Sequence, residues 1–194
     1  MCGRYSLDRD IEDLIKRYKP SKSIKDFTSN DEIFPTDSAP IVLNNGEKLI
    51  ARMSWGFKPS YAKQTLINAR AETVNIKPTF KNSFYNRRCL IPISSFYEWQ
   101  TIDGKKIRKR ISIPGQDIVS LGGLYDAFKD KEGKQYVAFT IITTQALGDM
   151  KEIHHRMPLI IGREMEDVWL DNSYGDISEI EGLLRPYGGE VEII

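Results

Sequence analysis

The sequence predicts an α+β fold: one domain, residues 1–194, with a mainly antiparallel, barrel- or sandwich-like β core and peripheral helices. Three observations lead there. The middle of the chain is a series of short runs rich in Val, Ile, Phe and Tyr, separated by Asp-Gly, Pro-Gly and Lys-Glu-Gly turns. Helical periodicity is confined to the two ends of the chain. The composition, 40% hydrophobic and 28% charged over 194 residues, is that of a globular chain with enough apolar material for one core.

In "LDRDIEDLIKRYKP", Ile11, Leu14, Ile15 and Tyr18 recur on one helical face, with Asp8 expected to cap the start and Pro20 to stop the run. "IVLNNGEKLIARMSW" reads as two strands joined at Asn44, Asn45 and Gly46, residues that tolerate the positive φ of hairpin turns. "CLIPISSFYEW", "KIRKRISIP", "DIVSLGGLYDAF" and "YVAFTIITT" follow as further strands, and "REMEDVWL" and "ISEIEGLLRPY" as helices. No repeat or linker interrupts the chain, and strand order is not legible.

Two cysteines, Cys2 and Cys89, cannot build a disulfide framework and have no zinc-type spacing, which fits a reducing cytoplasm. No leader precedes the domain and no apolar run approaches the ~20 residues that cross a bilayer, so neither secretion nor membrane insertion is expected. Net charge is +1, so any nucleic-acid surface must be local. Two cation clusters qualify, "GKKIRKRIS" (Lys105, Lys106, Arg108, Lys109, Arg110) and "KPTFKNSFYNRRC" (Lys77, Lys81, Arg87, Arg88), although such runs are commonly solvated faces.

The most distinctive chemistry stands at the start. Removal of an initiator Met before a small residue would expose Cys2 with two nucleophiles, an α-amine of pKa about 7.7–8.0 and a thiol of about 8.5. An aldehyde gives an imine at the amine, and the thiol closes onto the imine carbon as a five-membered thiazolidine; a lysine would stop at the hydrolysable imine. "INARAET" spaces Asn68, Arg70 and Glu72 by two, so a strand would place them on one face, suited to sugar-phosphate contacts or to an Arg70–Glu72 ion pair. In "SSFYEWQ", Glu98 lies among aromatics, whose burial would raise its pKa toward a usable acid and base; an exposed glutamate is the alternative. "IHHRMPLII" holds both histidines, and adjacent residues of an extended segment point oppositely, so one can face a site and the other solvent.

Met1-Cys2-Gly3-Arg4-Tyr5, Asn68-Ala69-Arg70-Ala71-Glu72-Thr73, Arg88-Cys89-Leu90-Ile91-Pro92 leading to Phe96-Tyr97-Glu98-Trp99, and His154-His155-Arg156-Met157-Pro158 together resemble the SOS-response-associated peptidase (SRAP) family, from residue 2 to about residue 161. The resemblance implies a sensor of abasic sites in single-stranded DNA, often near a junction with duplex. Such a protein links covalently to the ring-opened aldehyde through Cys2 as a thiazolidine and shields the lesion during the DNA damage response. Cys2 is then the nucleophile, Asn68 orients it and the adjacent sugar-phosphate, and Glu98 is the general acid/base. His154, the histidine of the family's H-x-R-x-P pattern, stabilises the oxygen of the opened sugar. Arg4 and Arg70 match phosphate-holding positions, Thr143 falls where a backbone-contacting threonine would lie, and Pro40 and Trp55 resemble an apolar wedge at the bases. After "NARAET" relatives can carry an arginine; here Lys77 would substitute, and a lysine cannot grip a phosphate bidentately. No cofactor and no metal are implied, and a cytoplasmic monomer, nucleoid-associated on DNA, is expected. Two alternatives stand beside this: a cysteine peptidase pairing Cys2 with His154 and removing Met1 itself, and a non-covalent single-strand binding module.

Overall fold

The computed structural model describes residues 2–130, 132–173 and 177–194. Among them the chain runs β1 (Tyr5–Leu7), α1 (Ile11–Tyr18), β2 (Asn30–Ile33), β3 (Ser38–Asn44), β4 (Lys48–Trp55) and β5 (Asn68–Arg70), the last leading into a 3-10 turn at Ala71–Thr73. It continues through α2 (Pro78–Asn86), β6 (Arg88–Ile93), β7 (Ser95–Ile102), β8 (Lys105–Ser112), β9 (Val119–Lys129) and β10 (Gln135–Gln145). After a 3-10 turn at Gly148–Glu152 come β11 (Arg156–Pro158), β12 (Ile160–Ile161), a 3-10 turn at Arg163–Met165, α3 (Glu166–Leu170), α4 (Ile177–Gly182) and β13 (Glu192–Ile193).

The expected β core is a closed barrel. β10, β4, β3, β6 and β9 are neighbours in that order, and β9 also pairs with β10, which closes the ring and removes the exposed edges that an open sheet would present. All its pairings are antiparallel except β4 with β10. Once β4 ends at Trp55, opposite Phe139, β5 takes over the same edge of β10, with Asn68 opposite Ile141. A second, antiparallel sheet, β13-β8-β7-β1-β2, leans on the barrel. The chain crosses between the two at Ser94, whose N–H donates to Ser6 O, so "CLIPISSFYEW" is two strands in two sheets rather than one.

Local signals decide several boundaries. α1 is capped by Asp10, not Asp8: the Asp10 carboxylate accepts from the N–H groups of Glu12 and Asp13, while Asp8 accepts from Arg110 at 2.6 Å. The helix stops at Lys19 in the left-handed conformation (φ 49°), just before Pro20. Asn44 opposes Lys48 across the expected hairpin, and Gly46 carries φ 104°. The α2 helix, begun by Pro78 at its first position, has no counterpart in the expected elements. It dissolves the second cation cluster: the Arg88 side chain is 1% exposed and donates to the carbonyls of Phe84, Trp169 and Asp171, while Arg87 pairs with Asp126 at 3.1 Å.

Three residues expected at DNA are core. The Trp55 indole is 0% exposed, tilted against Tyr5 at 5.1 Å and stacked with Phe139 at 6.2 Å, and its Nε1–H donates to Ile67 O. Pro40 is buried in β3, so the pair forms no wedge. Thr143 is 0% exposed in β10, where its hydroxyl donates to Ala69 O.

The barrel is packed tightly at Gly123 on β9. A Cβ there would overlap Ile91 Cδ1 and lie 2.7 Å from Thr140 O, and the latter is backbone that cannot move aside. Gly123→Ala is therefore expected to destabilise the fold by about 1–3 kcal/mol, read as a lower urea midpoint, whereas Gly182→Ala at the end of α4, where nothing lies within 4 Å, changes it little.

Candidate active site

Four dispersed motifs meet where β5, β7 and the segment before β11 approach the N-terminus. Cys2 is 0% exposed, its Sγ lying 4.0 Å from Arg4 O. Its carbonyl accepts from Asn68 Nδ2 at 2.9 Å, which ties β5 to the N-terminal segment. The buried Asn68 Oδ1 has no hydrogen-bond partner among the described residues.

Glu98, 3% exposed on β7, exerts its charge on both remaining groups. Burial, and then the Glu98 carboxylate, push the Cys2 thiol up to about 12. Burial lowers the His154 pKa, and the same carboxylate opposes that shift. His154 Nδ1 accepts the Arg156 backbone N–H at 2.9 Å, which leaves the proton of a neutral ring on Nε2. Contrary to the alternation expected of an extended segment, the His154 and His155 rings stack at 4.3 Å, because the chain bends there and strand geometry begins only at Arg156.

Arg156 fixes this bend. It is 7% exposed, grips Glu72 with both terminal nitrogens (2.5 and 3.0 Å) and donates to Thr143 O at 2.5 Å. The 3-10 turn after β5 carries Glu72 off the strand face it was expected to share with Asn68 and Arg70, and Arg156, not Arg70, is its partner. No spacing rule links these motifs, and Arg70 within the same motif was the nearer partner for Glu72 in sequence.

The stacked histidines divide two clefts. One, of about 350 Å³, is lined by Glu98, Trp99, Lys106 and His154. The other, of about 470 Å³, is lined by Arg70, Gln145, Ala146, Lys151, His155 and Arg156. A larger cavity of about 780 Å³ lies at the β3–β4 turn and contains none of the motif residues. Cys2 is adjacent to the first cleft's chemistry through Glu98 but does not wall it. Arg4 is half-buried, its guanidinium 3.6 Å from the Phe34 ring and its Nη1 2.8 Å from Glu32 Oε1. Lys77, exposed at the start of α2, lines neither cleft. Lys151 is a cleft cation that no residue pattern named, and Lys106 was named only as one of the run in "GKKIRKRIS".

A small closed barrel with a buried cysteine, a carboxylate and an imidazole gathered at its N-terminus thus defines the class. The family model described as SOS response associated peptidase (SRAP) matches residues 1–194, and the chain belongs to that family. It is similar to the abasic site processing protein YoqW of Bacillus subtilis, 33% identical over 98% of this chain and 89% of that one. It is also similar to the abasic site processing protein HMCES of Pongo abelii, 28% identical over 94% of this chain and 67% of that one. Among solved structures, a protein of Bacteroides thetaiotaomicron superposes with a TM-score of 0.88 at 25% identity, covering 99% of this chain and 90% of that one. Among the described residues no helix is long and apolar enough to cross a membrane.

The two buried thiols make a pH prediction for the chain that retains Met1. Burial raises the pKa of Cys2 to about 12 and that of Cys89 also. The folded chain therefore holds these protons to higher pH than the unfolded chain does. The resulting stability is complete below the unfolded thiol value of about 8.5 and drains as pH rises through the folded values, by up to ~1.4 kcal/mol per pH unit for each thiol. Urea midpoints should fall between pH 8.5 and 10.5, and iodoacetamide at pH 8 should label neither cysteine until the chain unfolds.

Proposed function

We propose that the chain, once Met1 is removed, forms a covalent thiazolidine with the ring-opened aldehyde of an abasic site in single-stranded DNA and so shields the lesion during the DNA damage response. The observation that carries this is that Glu98 and His154 wall one cleft, while the Glu98 charge also acts on Cys2, whose carbonyl Asn68 already holds. The names of the relatives, abasic site processing proteins, supply the substrate.

Each residue then has a step. The His154 Nε2–H and the Glu98 carboxyl assist opening of the deoxyribose ring to the aldehyde. The freed α-amine of Cys2 adds to that carbon; Asn68 Oδ1, an acceptor still available, holds the amine in place. Loss of one water gives the imine, with Glu98 carrying the proton to the departing oxygen. The S–H then adds across C=N, forming the S–C bond and returning its proton to nitrogen, with no net oxidation. Arg4 and Arg70 contact phosphates on either side, and Lys77 is at most a distant one. An amine-first order suits a thiol whose pKa stands near 12 while the chain is capped. A cysteine peptidase would instead need a ready thiolate, which burial and the Glu98 charge both oppose. The same shift weighs against self-removal of Met1 by the thiol, so that activity is not part of this reading.

Incubated with an oligonucleotide containing one abasic site, the mature chain is expected to give a denaturation-resistant adduct with the summed mass less one water. Cys2→Ala should abolish it and Cys89→Ala should not. Glu98→Gln and His154→Ala should slow its formation by the ~10²–10⁴-fold that positioned acid–base groups supply. Equal adduct from Cys2→Ala and wild type would overturn the assignment.

A further inference from the structure

The cation run on β8 has no part in the chemistry so far, yet the pairing of β7 with β8 gives it a position. Trp99 opposes Arg108, Tyr97 opposes Arg110 and Thr101 opposes Lys106, so these six side chains share one face of the sheet. Glu98, opposite Lys109, belongs to the other face. Cations and aromatic rings interleave on the shared face: the Arg108 guanidinium lies 4.8 Å from the Tyr97 ring, and that of Arg4 lies 5.7 Å from Trp99. Arg110 is engaged with Asp8 and Ser95. Arg4 and Arg108 converge on a single oxygen, Glu32 Oε1, at 2.8 and 2.7 Å. Trp99 and Lys106 also line the cleft beside Glu98 and His154, so this face continues that cleft.

We propose that the outer face of β7 and β8 is a docking track for the single DNA strand leaving the cleft, with Lys106 and Arg108 each neutralising one backbone phosphate. Trp99, opposite Arg108, offers a sequence-tolerant stacking surface beside them, and Glu32 occupies the place that a phosphate takes between Arg4 and Arg108. The identity of the polymer rests on the abasic-DNA reading. Three physical facts favour it. Alternate residues of a strand stand roughly 6.6–6.8 Å apart, about the phosphate repeat of an extended single strand. Interleaved cations and rings are the usual means of holding a single strand without reading its sequence. The Arg108–Glu32 pair is half exposed (52% and 31%), and pairs in that setting hold weakly enough for a phosphate to displace the carboxylate.

The test is the salt dependence of binding to an undamaged single-stranded oligonucleotide. It compares the full chain with Lys106→Ala/Arg108→Ala and with Lys16→Ala/Lys25→Ala, which removes the same charge from exposed positions outside the track. Each phosphate contact on a single strand contributes about 0.7 to the slope of log affinity against log salt. The hairpin variant is therefore expected to bind several-fold more weakly at low salt with a slope shallower by about 1.4, and the control to keep the wild-type slope. An unchanged slope in the hairpin variant, or equal flattening in both, overturns the track. Because the probe carries no lesion, absence of an abasic adduct would sink the crosslinking reading while leaving this result intact.

Discussion

The site depends on how one buried guanidinium is satisfied. Arg156 sits at the start of β11, and its charge would be costly in the interior without partners. Glu72 and the Thr143 carbonyl meet it, and in doing so fasten the turn after β5 and the strand β10 to the segment that carries the histidines. The Arg156 N–H then fixes the His154 ring through Nδ1, and β5, held in place by the same clamp, positions Asn68 against the Cys2 carbonyl. Asn68 and His154 are thus both positioned through Arg156.

Closure of the barrel and burial of the thiol belong to the same design. A five-stranded ring with Gly123 in close backbone contact gives a wall that does not yield, and the N-terminal segment packs into the core around it with Cys2 fully covered. A thiol in that position is neutral and unreactive. In the proposed reaction the change is covalent: cutting the bond before Cys2 replaces a non-nucleophilic amide nitrogen with an amine, so reactivity is coupled to processing.

The sequence made legible what is local. The Asn44–Gly46 hairpin, the first helix and the β-rich middle all follow from turn chemistry and periodicity, and Cys2 stands out by its two nucleophiles, whereas Glu98 and His154 are singled out by the family resemblance. What depends on long-range burial was not legible. Trp55, Pro40 and Thr143 are indistinguishable in sequence from surface contacts, yet the barrel and its lining strands enclose all three. The break at Ser94 between β6 and β7 falls inside a continuous apolar run, where periodicity cannot separate two strands from one. Arg88 looked like a surface cation because nothing adjacent in sequence predicts the four backbone carbonyls that enclose it.

The central claim is that the Cys2 α-amine, not the thiol alone, captures the lesion. A preparation containing both Met1-bearing and Met1-free chains, exposed to an abasic oligonucleotide and read by intact mass, addresses it directly. The account predicts that every adduct derives from a chain lacking Met1, with loss of one water, while the Met1-bearing population is recovered unreacted. Adducts on Met1-bearing chains in proportion to their abundance would contradict it.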